Sequence, residues 1–313
     1  MTEILRLSKD LFDQVFMPLL LETAPEAEPF LAAGLVGEGS ECFGYDDVLS
    51  CDHDFGPGFC VWLTKNHYER LAAPLEQIIL RMPDSFAGKK TFLEKPRRGI
   101  LKLEAFCQGL TGCDPVFLLE NLPREESNRK WLSMSEAGLA ALSNGMLFTD
   151  REGTFTKIRT VLEKGYPEDV RLYKLAQNLI CAGQISQYNY PRTCERDDKP
   201  ALTIMRGRLT EYYCSVACLL NHRFKPYYKW SARALKGLSI LGDAMYKKLT
   251  LLYTLDDGEQ TYDVMAQINS MIVAALHSEK LSENSSVFLT DHCRDILLKI
   301  KDRNLLKDPI PLL

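Results

Sequence analysis

Several familiar signatures are missing from this 313-residue chain. There is no C-x-x-C pair among its ten cysteines, which stand at positions 42, 51, 60, 107, 113, 181, 194, 214, 218 and 293. That scatter excludes the usual spacing of a structural zinc site and points to reduced thiols used as small apolar residues. No run approaches 18 apolar residues, so no helix is expected to span a membrane. The first residues, Met1-Thr2-Glu3-Ile4-Leu5-Arg6, lack the charged-then-apolar order of a signal peptide, and a cytoplasmic setting is expected. There is no excess of positive charge. A formal net charge of -4 disfavours long nucleic acid as a partner, because duplex binding needs a basic surface. Internal repeats and low-complexity segments are also missing.

What is present suits a folded chain of one large domain or two modest ones. Hydrophobic residues make up 46% and charged residues 26%, enough for a core and an ordinary surface. From Ser8 to Thr23, the spacing of Leu11, Phe12, Val15, Phe16, Leu19 and Leu20 predicts a helix that starts near Ser8 and stops at Pro25. A short helix is expected over Glu26–Ala33, followed by a glycine-punctuated strand or turn from Gly34 to Gly39. Phe59–Leu63 and Gly99–Phe106 read as strands, and Asn66–Met82 as a helix. Gly145–Phe148 and Gly153–Phe155, flanking Asp150-Arg151-Glu152, suggest a small hairpin. After Pro167 the strand signals almost vanish, and helices are expected over 167–187, 199–222, 226–254, 257–280 and 288–302. The pattern predicts an α+β fold: a small mixed sheet with helices over residues 1–160, then an all-helical bundle over 161–313.

One segment carries chemistry. Gly37-Glu38-Gly39-Ser40 is followed, after eleven residues, by Asp52-His53-Asp54. In a strand, residues two apart share a face, so Asp52 and Asp54 could converge on one divalent cation. Carboxylate oxygens suit magnesium or manganese. A turn at Gly39-Ser40 could hold a phosphate through backbone N–H groups and a hydroxyl. Phosphoryl-type transfer needs this combination, a cradle for the phosphate tail and a cation to neutralise charge at phosphorus. Asp46 and Asp47 read as turn formers, and His53 as facing away from the two aspartates. Glu38 and Glu41 would repel a phosphate, so they are expected to point away or to pair with Arg or Lys. The remaining histidines, His67, His222, His277 and His292, have no spacing that would complete a histidine/aspartate metal site.

The order apolar stretch, Gly-Ser, about a dozen residues, Asp-x-Asp resembles the signature of the polymerase-beta-like nucleotidyltransferase superfamily. The wider stretch Ala33–Asp47 with Ser50–Pro57 looks like an uncharacterised bacterial branch of it, filed under a domain of unknown function. The resemblance extends to Leu220–Trp230 and so covers most of the chain. It implies a catalytic domain over 1–160 and a substrate-selecting helical domain over 161–313. It implies that Asp52 and Asp54 bind Mg2+ or Mn2+, and that Gly39 and Ser40 hold the tail of a nucleoside triphosphate, with ATP as donor. A hydroxyl of a small-molecule or protein acceptor would attack the α-phosphorus and release pyrophosphate. The superfamily adds a third carboxylate from a later strand. Glu104, in Ile100-Leu101-Lys102-Leu103-Glu104, is the candidate for that carboxylate, as third metal ligand and as the catalytic group that helps activate the attacking hydroxyl. Lys229 is the candidate cation from the helical half for the triphosphate. The alternative is an inactive nucleotide-binding or interaction module on the same fold.

Overall fold

The computed structural model describes residues 2–50 and 55–307. The fold is α+β, with a small mixed sheet and many helices. Contacts group the chain into two compact units, Met1–Asn121 with Ser133–Glu163, and Leu122–Leu132 with Lys164–Leu313.

Six strands are present among the described residues: β1 (Ala32–Leu35), β2 (Cys60–Leu63), β3 (Ser85–Phe86), β4 (Lys89–Lys90), β5 (Gly99–Lys102) and β6 (Met146–Asp150). Four of them make the main sheet, in the order β5-β2-β1-β6. β1 runs antiparallel to β2 and β6, while β2 and β5 are parallel. The two central strands are buried along their whole length, which is why Ala-Ala-Gly-Leu and Cys-Val-Trp-Leu read as unbroken apolar runs rather than alternating ones.

Tertiary pairing overrides local pattern at several places. Ala32 and Ala33, expected at the end of a helix, are instead extended in β1, and the preceding helix is a 3-10 stretch, Pro25–Phe30. Alanine favours helix by propensity, but two flanking strands supply every backbone partner here. Gly34 has no room for a side chain, since a Cβ would strike the Met146 carbonyl where the β1–β6 register shifts. The expected hairpin at 145–155 is also corrected. β6 pairs with β1, and Gly153 opens a helix, Thr154–Leu162, whose Thr156 N–H is capped by Asp150 at 2.7 Å. The first helix starts at Glu3, with Thr2 as its cap, and not at Ser8. Ser8 lies buried in that helix and accepts a hydrogen bond from the Gly58 N–H at 3.1 Å. β3 and β4 form a hairpin that the pattern did not announce. Its tip, Ala87-Gly88, has positive φ at both residues, as the favoured two-residue turn requires.

The second unit is helical: Glu168–Gly183, Tyr190–Cys194, Lys199–Leu220, Tyr228–Leu235, Gly242–Leu252, Glu259–Ser278 and Leu289–Leu298. The single helix expected over 226–254 is two helices. Asn221 holds the turn between them, accepting from the Ser239 and Ile240 N–H groups and donating to the Ile240 carbonyl. Arg206 is tied to Asp257 at 2.8 Å, to the Leu255 carbonyl and to Thr261. Tyr190 donates to the same Asp257 at 2.6 Å, so this cluster anchors the loop before Glu259–Ser278. Among the described residues no helix is long and apolar enough to cross a membrane.

Residues 122–132 join this unit although they precede the rest of it by more than thirty positions. Trp131 packs against Tyr166 and Phe224, with ring centroids 5.8 and 6.2 Å away. Asn128 donates to Asp302 at 2.9 Å, and Asp169 receives the N–H groups of Lys301 and Asp302. Asn128 and Asp302 are both buried. Asn128→Ala therefore leaves a buried carboxylate oxygen without its donor and is expected to destabilise by about 1–3 kcal/mol. Urea denaturation measures this, and a change below a few tenths of a kcal/mol would show that the bond contributes nothing.

Candidate functional site

Three segments meet at one end of the main sheet. Gly34 in β1 pairs with Cys60 in β2, and Cys60 pairs with Gly99 in β5. The chain leaving β1 (Val36–Ser40), the chain entering β2 (Phe55–Phe59) and the chain entering β5 (Pro96–Arg98) thus lie at the same end.

The turn after β1 is held from several sides. Gly37 and Gly39 have φ of 117° and 122°, a region that L side chains rarely enter. The Gly37 N–H donates to Asn144 Oδ1 at 3.0 Å, and Asn144 Nδ2 donates to the Gly37 carbonyl at 2.7 Å. One side-chain amide thereby clamps both backbone polar groups of one residue. Asn144 is itself placed by Arg159, which donates to the carbonyls of Leu142, Ser143 and Asn144 at the end of the helix Glu136–Ser143. Ser40, half-buried, then opens a one-turn helix, Ser40–Phe43.

Beneath the turn lies a buried ion pair. Arg98 is 2% exposed and Glu41 5%, and Arg98 Nη2 meets Glu41 Oε1 at 2.6 Å. Arg98 also donates to the carbonyls of Glu38 and Arg97. The pairing expected for Glu41 is therefore present. A Cβ on Gly39 would run into the Glu41 carboxylate, a second reason for glycine there. Two thiols flank the pair. Burial pushes Cys42 up to about 12 and Cys60 to about 11, with Arg98 pulling the other way. Both stay neutral and unreactive at physiological pH.

Beside the turn is a cleft of about 240 Å³, between Val36 and Glu38 on one side, Pro96, Arg97 and Arg98 on another, and the face of the helix Leu103–Thr111 on the third. Arg97 lies over the Phe92 ring and 3.9 Å from Glu41. Glu41 thus faces both arginines, and Glu38 offers them its backbone carbonyl.

The predicted site residues fare differently. Gly39 and Ser40 sit at the turn that follows the central strand. Asp52, His53 and Asp54 lie outside the described residues. Asp47 is a turn former, accepting from the Leu49 N–H and the Ser50 hydroxyl. Asp46 has one buried carboxylate oxygen without a hydrogen-bond partner among the described residues.

Glu104 needs correction. It was expected on a strand, on one face with Ile100 and Lys102, but β5 ends at Lys102 and Glu104 stands in the first turn of the helix Leu103–Thr111. Its Oε1 accepts from the Lys65 N–H at 2.9 Å, capping the helix Lys65–Ile79 that follows β2. Since Lys102 pairs with Leu63, this cap lies at the opposite end of the sheet from Gly39-Ser40, with roughly 10 Å of strand between the two ends. Its other oxygen is buried without a partner. The run Gly99–Phe106 reads as one strand because alternation and a helix start look alike over so few residues.

Lys229 is exposed, in the first turn of the helix Tyr228–Leu235, with its ammonium 4.9 Å from the Trp230 ring centroid. Among the described residues no three of His, Cys, Asp and Glu cluster closely enough to hold a metal ion.

Sequence reasoning missed Asn144 and Arg159. Neither has a local signature, since each acts on backbone groups far away in the chain or in the preceding helix.

A small mixed sheet carrying a glycine turn at one end defines an α+β protein with a candidate anion-binding loop. Residues 131–231 match the profile of a family described as a domain of unknown function (DUF4037). That stretch includes Asn144, Arg159 and Lys229 but stops short of Gly39-Ser40, Asp52, Asp54 and Glu104. No curated protein and no solved structure matches the chain.

Proposed function

We propose that the chain is a metal-dependent nucleotidyltransferase of the polymerase-beta-like kind. It would move a nucleoside monophosphate from a triphosphate, ATP in the first instance, to a hydroxyl of a small-molecule or protein acceptor. The observation that carries the reading is the Gly37–Ser40 turn. It leaves a central strand, is clamped by Asn144 and by the Arg98–Glu41 pair, and lies at the sheet end from which the chain enters β2. A rigid turn of this kind can offer backbone N–H groups and the Ser40 hydroxyl to the β- and γ-phosphates with little reorganisation.

Asp52 and Asp54 lie within three positions before Phe55 in the sequence and are the residues that would hold Mg2+ or Mn2+. The cation's contribution is to neutralise charge on the reacting phosphoryl group. Glu104 stands apart from the turn, because its Oε1 is committed to the Lys65 N–H at the far end of the sheet. The helical part from residue 161 would choose the acceptor. Both that role and the assignment of Lys229 to the triphosphate rest on the resemblance alone.

The test is a thermal-shift screen of ATP, GTP, CTP and UTP, each with magnesium. A ligand that binds only the native state adds about 2.7 kcal/mol at a hundredfold excess over Kd. One of the four is expected to raise the midpoint by several degrees, and no shift with any of them would overturn the reading.

A nucleotide-binding module without turnover is the second reading, favoured by the position of Glu104 away from the turn. Binding in the screen with no pyrophosphate released over many hours would select it.

A further inference from the structure

Gly109 stands in the last turn of the helix Leu103–Thr111, where glycine is still a poorer helix former than alanine, at a cost below the roughly 1 kcal/mol of a helix interior. The usual reasons for tolerating that cost are not met here. Gly109 does not have the positive φ that demands glycine, and a Cβ placed on it would meet nothing within 4 Å. Contrast Gly138, where a Cβ would strike the Leu110 carbonyl. Gly109 does, however, line the cleft beside the Gly37–Ser40 turn. Ala105, one helical turn earlier and equally exposed, lines it too. A larger side chain at either position adds bulk at the edge of the cleft, and at Gly109 its Cβ would start in open space.

The rest of the lining says what the space suits. Val36, Pro96, Phe106 and Leu110 are apolar. The Phe106 ring is held against Trp62 and Phe155, with centroids 5.2 and 6.3 Å away, and reaches to within 3.4 Å of where a Cβ on Gly37 would sit. It offers a fixed flat surface. Arg98 is paired with Glu41 and Arg97 lies 3.9 Å from the same carboxylate, so the cleft provides hydrogen-bonding edges with its positive charge partly offset. At about 240 Å³ it is smaller than the roughly 300–1,000 Å³ of sites that enclose a whole drug-sized ligand, so it takes one end of a molecule. Val36 and Glu38 flank Gly37, so the remainder of that molecule reaches the turn within a few residues.

We infer that this cleft holds the nucleobase of the nucleotide whose phosphate tail lies on Gly39-Ser40, and that Gly109 and Ala105 are small to admit it. The inference rests on the proposed nucleotide binding. Calorimetry separates the two. The four nucleoside triphosphates and tripolyphosphate, each with magnesium, are titrated into the wild-type chain, Gly109→Leu and Ala105→Leu. Leucine is the better helix former, so Gly109→Leu is expected to keep its circular dichroism and to melt no lower than the wild type. Ala105→Leu serves if it does not. The expected result is at least a tenfold loss of affinity for the preferred triphosphate in a filled variant, with tripolyphosphate affinity unchanged. Equal triphosphate affinity in the wild type and both variants would overturn the cleft assignment while leaving nucleotide binding in place. Wild-type binding of tripolyphosphate as tight as that of every triphosphate would do the same. No binding of any of the five by the wild type would remove both.

Discussion

Replacing Asp52 and Asp54 together by asparagine is expected to abolish magnesium-dependent pyrophosphate release, by a factor of at least a thousand, while the chain stays folded. The amides are close in size to the carboxylates but carry no charge, so a hard divalent cation loses its anionic ligands. Without the cation, charge building on the reacting phosphoryl group has nothing to offset it. Release is measured with a coupled pyrophosphate assay, and the fold with circular dichroism and the thermal midpoint. Unchanged release in the double variant would remove the proposed mechanism. The second reading predicts a different outcome, in which the wild type releases nothing measurable and the variant differs only in its magnesium-dependent nucleotide affinity. Glu104→Gln is a useful companion. Its carboxylate caps the Lys65 N–H, so it should lower stability modestly and leave release per folded molecule nearly intact.

Arg98→Met carries the largest expected loss of stability. Arg98 and Glu41 are both buried, at 2% and 5% exposure, and meet at 2.6 Å. Removing one partner of such a pair leaves an uncompensated buried charge, and the cost is about 3–5 kcal/mol. Glu41→Leu alone should cost a similar amount. The double variant should be much less destabilised than the two single losses added together, because it leaves no charge behind. Denaturant unfolding of the four proteins gives the coupling directly, and strictly additive losses would show that the pair is not the unit argued for here. There is a local consequence as well. Arg98 donates to the Glu38 carbonyl, and the Glu41 carboxylate fills the space beside Gly39, so the loss should loosen the Gly37–Ser40 turn and weaken nucleotide binding beyond the loss of fold.

How much of this was legible in the residues alone varies with the range over which each feature is decided. The long helices and the helix Lys65–Ile79 show themselves through apolar spacing, because the buried face of a helix repeats along the chain. The Phe-Cys-Val-Trp-Leu run shows a strand because β-branched and aromatic residues suit a buried pleated surface. The Gly37–Ser40 turn is legible as well, since two glycines so close together in an apolar stretch mark a backbone that ordinary residues do not adopt. Their φ values bear this out.

Other features were decided by partners distant in sequence. β1 is a strand because β2 and β6 flank it, although Ala32 and Ala33 favour helix. Met146–Asp150 pairs with β1 and not with its own neighbours. Residues 122–132 join the helical unit through Asn128 and Trp131, whose partners lie up to 174 positions away. Glu104 could be placed on a strand from its neighbours, but only the Lys65 N–H shows that it caps a helix. Asn144 and Arg98, which hold the candidate turn, are ordinary polar residues until the fold brings them to Gly37 and Glu41. Periodicity and composition are local properties, and so the sequence by itself determined most of the long helices, the buried run Phe59–Leu63 and the glycine turn. Strand neighbours, buried ion pairs and backbone clamps depend on where the chain returns in space, and these only the tertiary structure decided.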